Sequence, residues 1–179
     1  FYNESNVMTR SEPASGFSSV PLGPFVEDYT NRGIYRVKLI IRDNITGCQT
    51  VDEILIRIFE KPVPQFTATR GCEGILISFA ENSTLTPLLG ESIATLEWDF
   101  NYNGSVFNKD PLFDNQKNFT RSFTAPGTFQ VALRATADIS GCTDIKVVPV
   151  TIDPLPNAQF TPDVISGCSE LTVTFTNTS

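Results

Sequence analysis

Residues 33–48, GIYRVKLIIRDNITGC, return at residues 127–142 as GTFQVALRATADISGC, 94 positions further on. PVPQF at 62–66 returns as PNAQF at 156–160 with the same shift. GCEGILISFAENS at 71–83 returns as GCSELTVTFTNTS at 167–179 with a shift of 96, so two residues are inserted before the last cysteine. Self-similarity of this length marks whole domains rather than solenoid units, and it constrains the chain to tandem copies of one small fold. The complete copy occupies residues 61–154. Residues 1–60 correspond to its second part alone and residues 155–179 to its opening alone. A partial copy cannot bury its sheet faces unaided, so the two end segments are expected to be completed by further chain or to lack fixed order. Short proline-containing linkers, FEKPVP (59–64) and DPLPN (153–157), are expected to join the copies and limit bending. The opening FYNESN reads as the middle of a longer chain, with any export signal upstream.

Apolar residues recur at every second position, the period of a strand with one buried face. Strands are expected at Pro62–Thr67, Ile75–Phe79, Thr95–Phe100, Asn118–Phe123, Thr128–Ala137 and Ile145–Ile152. Ile75, Ile77 and Phe79 should point inward, as should Phe129, Val131 and Leu133, and then Val148, Val150 and Ile152. Trp98, the sole tryptophan, is the expected core anchor between sheets. Gly33 and Gly127 are expected to supply a positive φ at the turns leading into their strands. No stretch sustains a 3.6-residue period, and short strands separated by turn signals predict an all-β chain of sandwich domains.

A formal net charge of −7 argues against nucleic acid and anionic membrane surfaces as partners. No apolar run approaches the roughly 20 residues that a membrane-spanning helix needs. The chain contains no histidine, which removes the commonest general base and a principal transition-metal ligand. Catalysis requires a nucleophile and a base converging in a cleft, which leaves carboxylates, lysines and thiols; Asp99, Asp110 and Asp114, in or beside one long loop, are the set that paired-carboxylate chemistry would use, but the loop composition is ordinary. A non-enzymatic chain is expected.

The complete copy resembles the PKD (polycystic kidney disease) domain, an immunoglobulin-like sandwich of bacterial and archaeal surface proteins and of polycystins. The family pattern W-D-F-G-D-G, H-T-Y and P-G-x-Y-x-V-x-L is met by Trp98-Asp99-Phe100 followed by Asn101-Tyr102-Asn103-Gly104, by Arg121-Ser122-Phe123, and by Pro126-Gly127-Thr128-Phe129-Gln130-Val131-Ala132-Leu133. The preceding copy offers Glu27-Asp28-Tyr29 and Gly33-Ile34-Tyr35-Arg36-Val37-Lys38-Leu39. The GC-x-x-L-T-V-x-F-T-N-x-S opening is similar to repeats in very large surface proteins of gliding, type-IX-secreting bacteria. The resemblance implies tandem immunoglobulin-like (PKD-type) β-sandwich domains and a spacer role in a secreted or cell-surface protein, an adhesin of gliding motility among them. Neighbouring repeats of the same chain would be its partners, without direct membrane insertion. The chain departs from the family at the G-D-G turn and in the long stretch Asn103–Lys117.

That stretch holds the candidate site residues. Phe107, Leu112 and Phe113 offer a surface for a glycan or protein, or else cap the end of the sandwich. Such a binding module, or an accessory domain of a secreted hydrolase, is the alternative function. Asp99, Asp110 and Asp114 lie in or beside the loop, but the calcium spacing D-x-[DN]-x-[DN]-G is absent. No cofactor is expected, with calcium as the alternative. Asp99 is expected to accept backbone hydrogen bonds. Six N-x-S/T triplets, at Asn3, Asn44, Asn82, Asn103, Asn118 and Asn177, follow from a Thr/Asn-rich composition or mark glycan acceptors in a eukaryotic secreted chain.

The four cysteines, Cys48, Cys72, Cys142 and Cys168, form no C-x-x-C pair, which argues against zinc and for an oxidising, extracytoplasmic setting. Within one sandwich Cys72 and Cys142 would lie at opposite ends, about 30 Å or more apart at ~3.3 Å per strand residue. A disulfide spans about 7 Å between Cα atoms at most. Bridges between neighbouring domains are therefore the expectation, with four reduced thiols as the alternative.

Overall fold

The computed structural model describes residues 26–43 and 45–179. The expectations for Asn3 and Asn44 lie outside the described residues. The strands are, in chain order, β1 (Gly33–Arg42), β2 (Gln49–Ile58), β3 (Phe66–Ala68), β4 (Gly71–Cys72), β5 (Leu76–Glu81), β6 (Ile93–Asp99), β7 (Asn118–Ser122), β8 (Gly127–Ala137), β9 (Thr143–Asp153), β10 (Phe160–Pro162) and β11 (Phe175–Asn177). A single 3₁₀ turn covers Pro111–Phe113, and no α-helix occurs among the described residues. None of them therefore belongs to a helix long and apolar enough to cross a membrane. The described residues are all-β with several sheets, consistent with a β-sandwich.

Hydrogen bonding gives a three-stranded sheet β3-β5-β7, a four-stranded sheet β4-β9-β8-β6, and two hairpins, β1-β2 and β10-β11. The chain divides into two compact units. One comprises the described residues up to Pro64 together with Ser83–Thr95 and Arg134–Asp144; the other comprises Gln65–Asn82, Leu96–Leu133 and Ile145–Ser179.

In the second unit, alternate residues of both sheets form one apolar interior. Phe66, Ile77 and Phe79 come from the three-stranded sheet; Leu96, Trp98, Val131, Leu133, Val150 and Ile152 come from the four-stranded one. Trp98 is wholly buried and meets Phe66 at 4.9 Å and Phe119 at 4.9 Å, both edge to face, while Phe100 stacks on it at 6.2 Å. Its indole N–H donates to the Gln116 carbonyl at 3.1 Å, which satisfies the one polar atom that burial would otherwise strand. A tryptophan burying up to ~250 Å² contributes on the order of 5 kcal/mol before entropy is counted.

The first unit contains the β1-β2 hairpin. Val37 pairs with Ile54 and Tyr35 with Ile56 on one face, while Arg36, Lys38, Glu53 and Arg57 occupy the other. Pro62 and Pro64 are buried and flank Val63, which exchanges backbone hydrogen bonds with Thr84 at 2.8 and 3.0 Å. The segment FEKPVP, expected as a linker, thus ends as ordered structure. Glu91 is buried and accepts the Ser140 N–H at 3.0 Å.

The sequence repeat recurs as structure. Tyr29 and Tyr35 pack at 4.7 Å, and their counterparts Phe123 and Phe129 pack at 4.6 Å. The Asp43 N–H donates to the Cys48 carbonyl at 2.8 Å, as Ala137 does to Cys142 at 2.9 Å. Gly47 and Gly141 both hold positive φ, 73° and 69°, in those turns. β10 and β11 pair Phe160 with Asn177 and Pro162 with Phe175, the same register in which β3 and β5 pair Phe66 with Glu81 and Ala68 with Phe79.

Four details differ from expectation. The first strand, expected over Pro62–Thr67, is confined to Phe66–Ala68, because Val63 between its two prolines makes only an isolated bridge to Thr84. Ile75 is exposed, because Glu73, Gly74 and Ile75 form the bend that precedes β5 and its N–H turns back to the Cys72 carbonyl at 3.2 Å. Gly127 has a positive φ of 144°, but Gly33, equally the first residue of its strand, does not. Gly71 and Cys72 form a short strand, not a loop, parallel to the end of β9.

Candidate functional site

The loop 103–117 runs back along β6. Asp110 N–H donates to the Trp98 carbonyl at 2.8 Å and Asn115 N–H to the Leu96 carbonyl at 2.7 Å. The Asn115 side chain then accepts the Leu96 N–H at 2.9 Å. β6 stands at one end of the order β4-β9-β8-β6, so these bonds occupy an edge that the sheet leaves open. Asn115 holds a φ of +59°, a conformation that asparagine tolerates better than most residues.

Each aspartate already has partners. Asp99 is buried and accepts the N–H groups of Asn101 at 2.9 Å and Asn108 at 2.7 Å, as its expected role at the turn requires. Asp110 caps the 3₁₀ turn by accepting the Leu112 N–H at 3.2 Å, and its second oxygen takes Arg121 at 2.6 Å. Asp114 accepts Lys109 Nζ at 2.8 Å, and that ammonium also reaches Glu97 at 3.1 Å. Among the described residues no group of three or more candidate ligands is placed to hold a metal ion.

The three apolar loop residues part company. Phe113 packs against Phe100 at 5.0 Å and Phe119 at 4.7 Å, joining the sandwich interior at its rim. Phe107 lies half-buried against Tyr102 at 6.1 Å. Leu112 alone projects, 80% exposed. Arg121, to which the sequence assigns no role, sits 4.0 Å above the Phe100 ring and 5.2 Å from Phe113 while it binds Asp110. A charged residue amid β7 that alternates with exposed neighbours was the available signal.

A shallow hollow crosses the outer face of the three-stranded sheet and is lined by Thr67, Thr69, Ser78, Asn118 and Thr120 among others. Ala68, Phe79, Ala80 and Phe119 make its lining mainly apolar, with a few hydroxyls and one amide but no titratable group. Asn82, Asn103, Asn118 and Asn177 are exposed or half-buried, and the Asn103 side chain accepts the N–H groups of Ser105 and Val106. All four cysteines are free thiols: Cys48 and Cys168 exposed, Cys72 and Cys142 half-buried. Cys72 pairs with Asp153, the last residue of β9, and Cys142 precedes its first. An eleven-residue strand at ~3.3 Å per residue separates them, far beyond disulfide reach. No protein-family model matches this chain, and no curated protein matches it.

Proposed function

We propose that this chain is a non-catalytic spacer: tandem immunoglobulin-like, PKD-type sandwich repeats of a secreted or cell-surface protein, an adhesin of the gliding-motility kind. The observation that carries this reading is the recurrence of one strand register, turn and aromatic pair at a 94-residue interval, which is how a modular array is made. Prolines at the joints favour extension: Pro62 and Pro64 are built into ordered backbone, and Pro154 and Pro156 limit φ in the second joint. Disulfides between neighbouring repeats, through exposed Cys48 and Cys168, would stiffen the array further. Carbohydrate or protein binding is the second reading, and the exposure of Leu112 and Val106 on the long loop favours it.

Concatemers of two, four and six copies measured by small-angle scattering test the spacer role. The maximum dimension is expected to rise linearly with copy number. Growth as the square root of copy number, the behaviour of flexibly linked beads, would overturn it. Binding of a glycan array, lost in Leu112→Asp, would support the second reading instead.

A further inference from the structure

Asp153, the last residue of β9, is held by its main-chain oxygen and by both oxygens of its side chain. The carbonyl accepts the Glu73 N–H at 2.9 Å. The carboxylate takes the Arg70 guanidinium in a two-pronged pair, Nε to Oδ2 at 2.7 Å and Nη2 to Oδ1 at 2.9 Å. Between Arg70 and Glu73 lies β4, whose Gly71 and Cys72 run parallel to Ile152 and Asp153. Glycine allows that close approach: a Cβ at Gly71 would stand 2.5 Å from Cδ1 of the wholly buried Ile77. The joint then begins with Pro154, and Glu73 also accepts the Leu155 N–H at 3.5 Å. Arg70 is 78% exposed, and so exposed a pair adds little to equilibrium stability. Its position suits a different task.

We infer that β4, the end of β9 and the Arg70–Asp153 pair form a clamp that bears tension along the chain. Strand direction decides this. The chain enters the complete copy through β3 and β4 and leaves from the end of β9, and β4 and β9 point the same way. Opposite pulls on the two joints therefore drag β4 backwards along β9, parallel to both strands. Sliding of this kind loads every bond across the pair at once, whereas a pull across a ladder opens its bonds one at a time. The guanidinium fork adds two charge-assisted bonds to a short main-chain ladder, at the very residue where load arrives from the second joint. The clamp gives way before the interior opens, so the interior sets equilibrium stability and the clamp sets resistance to force. Load reaches a repeat only when the chain is a spacer under tension, so this function rests on that reading and adds a task to it.

Optical-tweezer pulling of the full chain, under reducing conditions and with handles ligated to its two ends, tests this. The segment from Phe66 to Asp153 is expected to open in a single step. Arg70→Met and Asp153→Asn should each raise its opening rate at constant force about 3- to 10-fold while scarcely moving the urea midpoint. The double variant should open no faster than the quicker single one, because each side chain acts through the other. Leu133→Ala, in the interior, should do the reverse: a large fall in urea midpoint with less than about a twofold change in opening rate under force. Opening rates unchanged in both Arg70→Met and Asp153→Asn would overturn the clamp. So would rates under force that follow the same ranking as the urea midpoints. Either result leaves the spacer reading to its scattering test, which applies no load.

Discussion

Arg121 offers the sharpest test of how the long loop is held. Its guanidinium donates to Asp110 at 2.6 Å with both side chains less than one-third exposed, and it covers the Phe100 ring at 4.0 Å. A charge-assisted hydrogen bond contributes roughly 1.5–3 kcal/mol, of which partial exposure leaves about 1–2. The cation–π contact adds about 1 kcal/mol. Arg121→Ala is therefore expected to cost about 2–3 kcal/mol, and Arg121→Met, which keeps an apolar cover over Phe100, about 1–2 kcal/mol. Asp110→Asn retains an acceptor for Leu112 N–H, so a double-mutant cycle of Asp110→Asn with Arg121→Met isolates the ion pair, with an expected coupling of about 1 kcal/mol. Urea unfolding followed through Trp98, the sole tryptophan and wholly buried, reads all of these. Costs below about 0.5 kcal/mol for both Arg121 variants, with no coupling, would refute the clamp.

The repeat permits a paired test: Leu133→Ala should cost about 2–5 kcal/mol by opening a cavity, and Leu39→Ala, at the equivalent exposed position, under about 0.5 kcal/mol in dilute solution. Thermal melts across pH follow the carboxylates. The Arg70 hydrogen bond holds Asp153 below its usual range, and the Ser92 N–H does the same for Asp138. Because their folded pKa values are depressed, their stabilisation is complete above about pH 4 and is lost as pH falls through the folded values; Asp153→Asn should flatten that acid slope, and an unchanged slope would count against the pairing. Replacing residues 104–115 by a short Gly-Ser turn should uncover β6 and produce aggregates that bind thioflavin T, whereas a soluble monomer with unaltered melting would argue against edge protection.

Much of the fold was legible because alternation reports directly on a sheet with one buried face. The strands from β5 to β9 lie within about two residues of where alternation places them, and Trp98 anchors the interior. Less legible was what depends on partners distant in sequence. Ile75 continues the alternation of Ile77 and Phe79, but a bend closed by Cys72 ends the strand first. Gly71 and Cys72 are too short a run to carry a periodicity, and only the neighbouring end of β9 makes them a strand. Gly33 and Gly127 occupy equivalent positions, yet only one takes a positive φ, so local sequence did not decide that conformation. At the candidate site the role of Asp99 followed from its place at a turn, whereas the Arg121 clamp needed Phe100, Asp110 and Phe113 brought together with β7.

The loop itself gains a physical reason from this. A sandwich whose sheet ends at β6 exposes a row of backbone donors and acceptors, and in a tandem array every copy would repeat that hazard. Loop 103–117 answers it by laying its own backbone groups along the edge at Leu96 and Trp98, and side chains from Asp99 and Asn115 complete the pairing where the two strands diverge. The aromatic content then has a local cause: Phe113 must reach the interior at Phe100 and Phe119 to seat the loop, and Arg121 closes the seat from β7. Leu112, 80% exposed, and Val106, 55% exposed, are the apolar residues of the loop that this account leaves over.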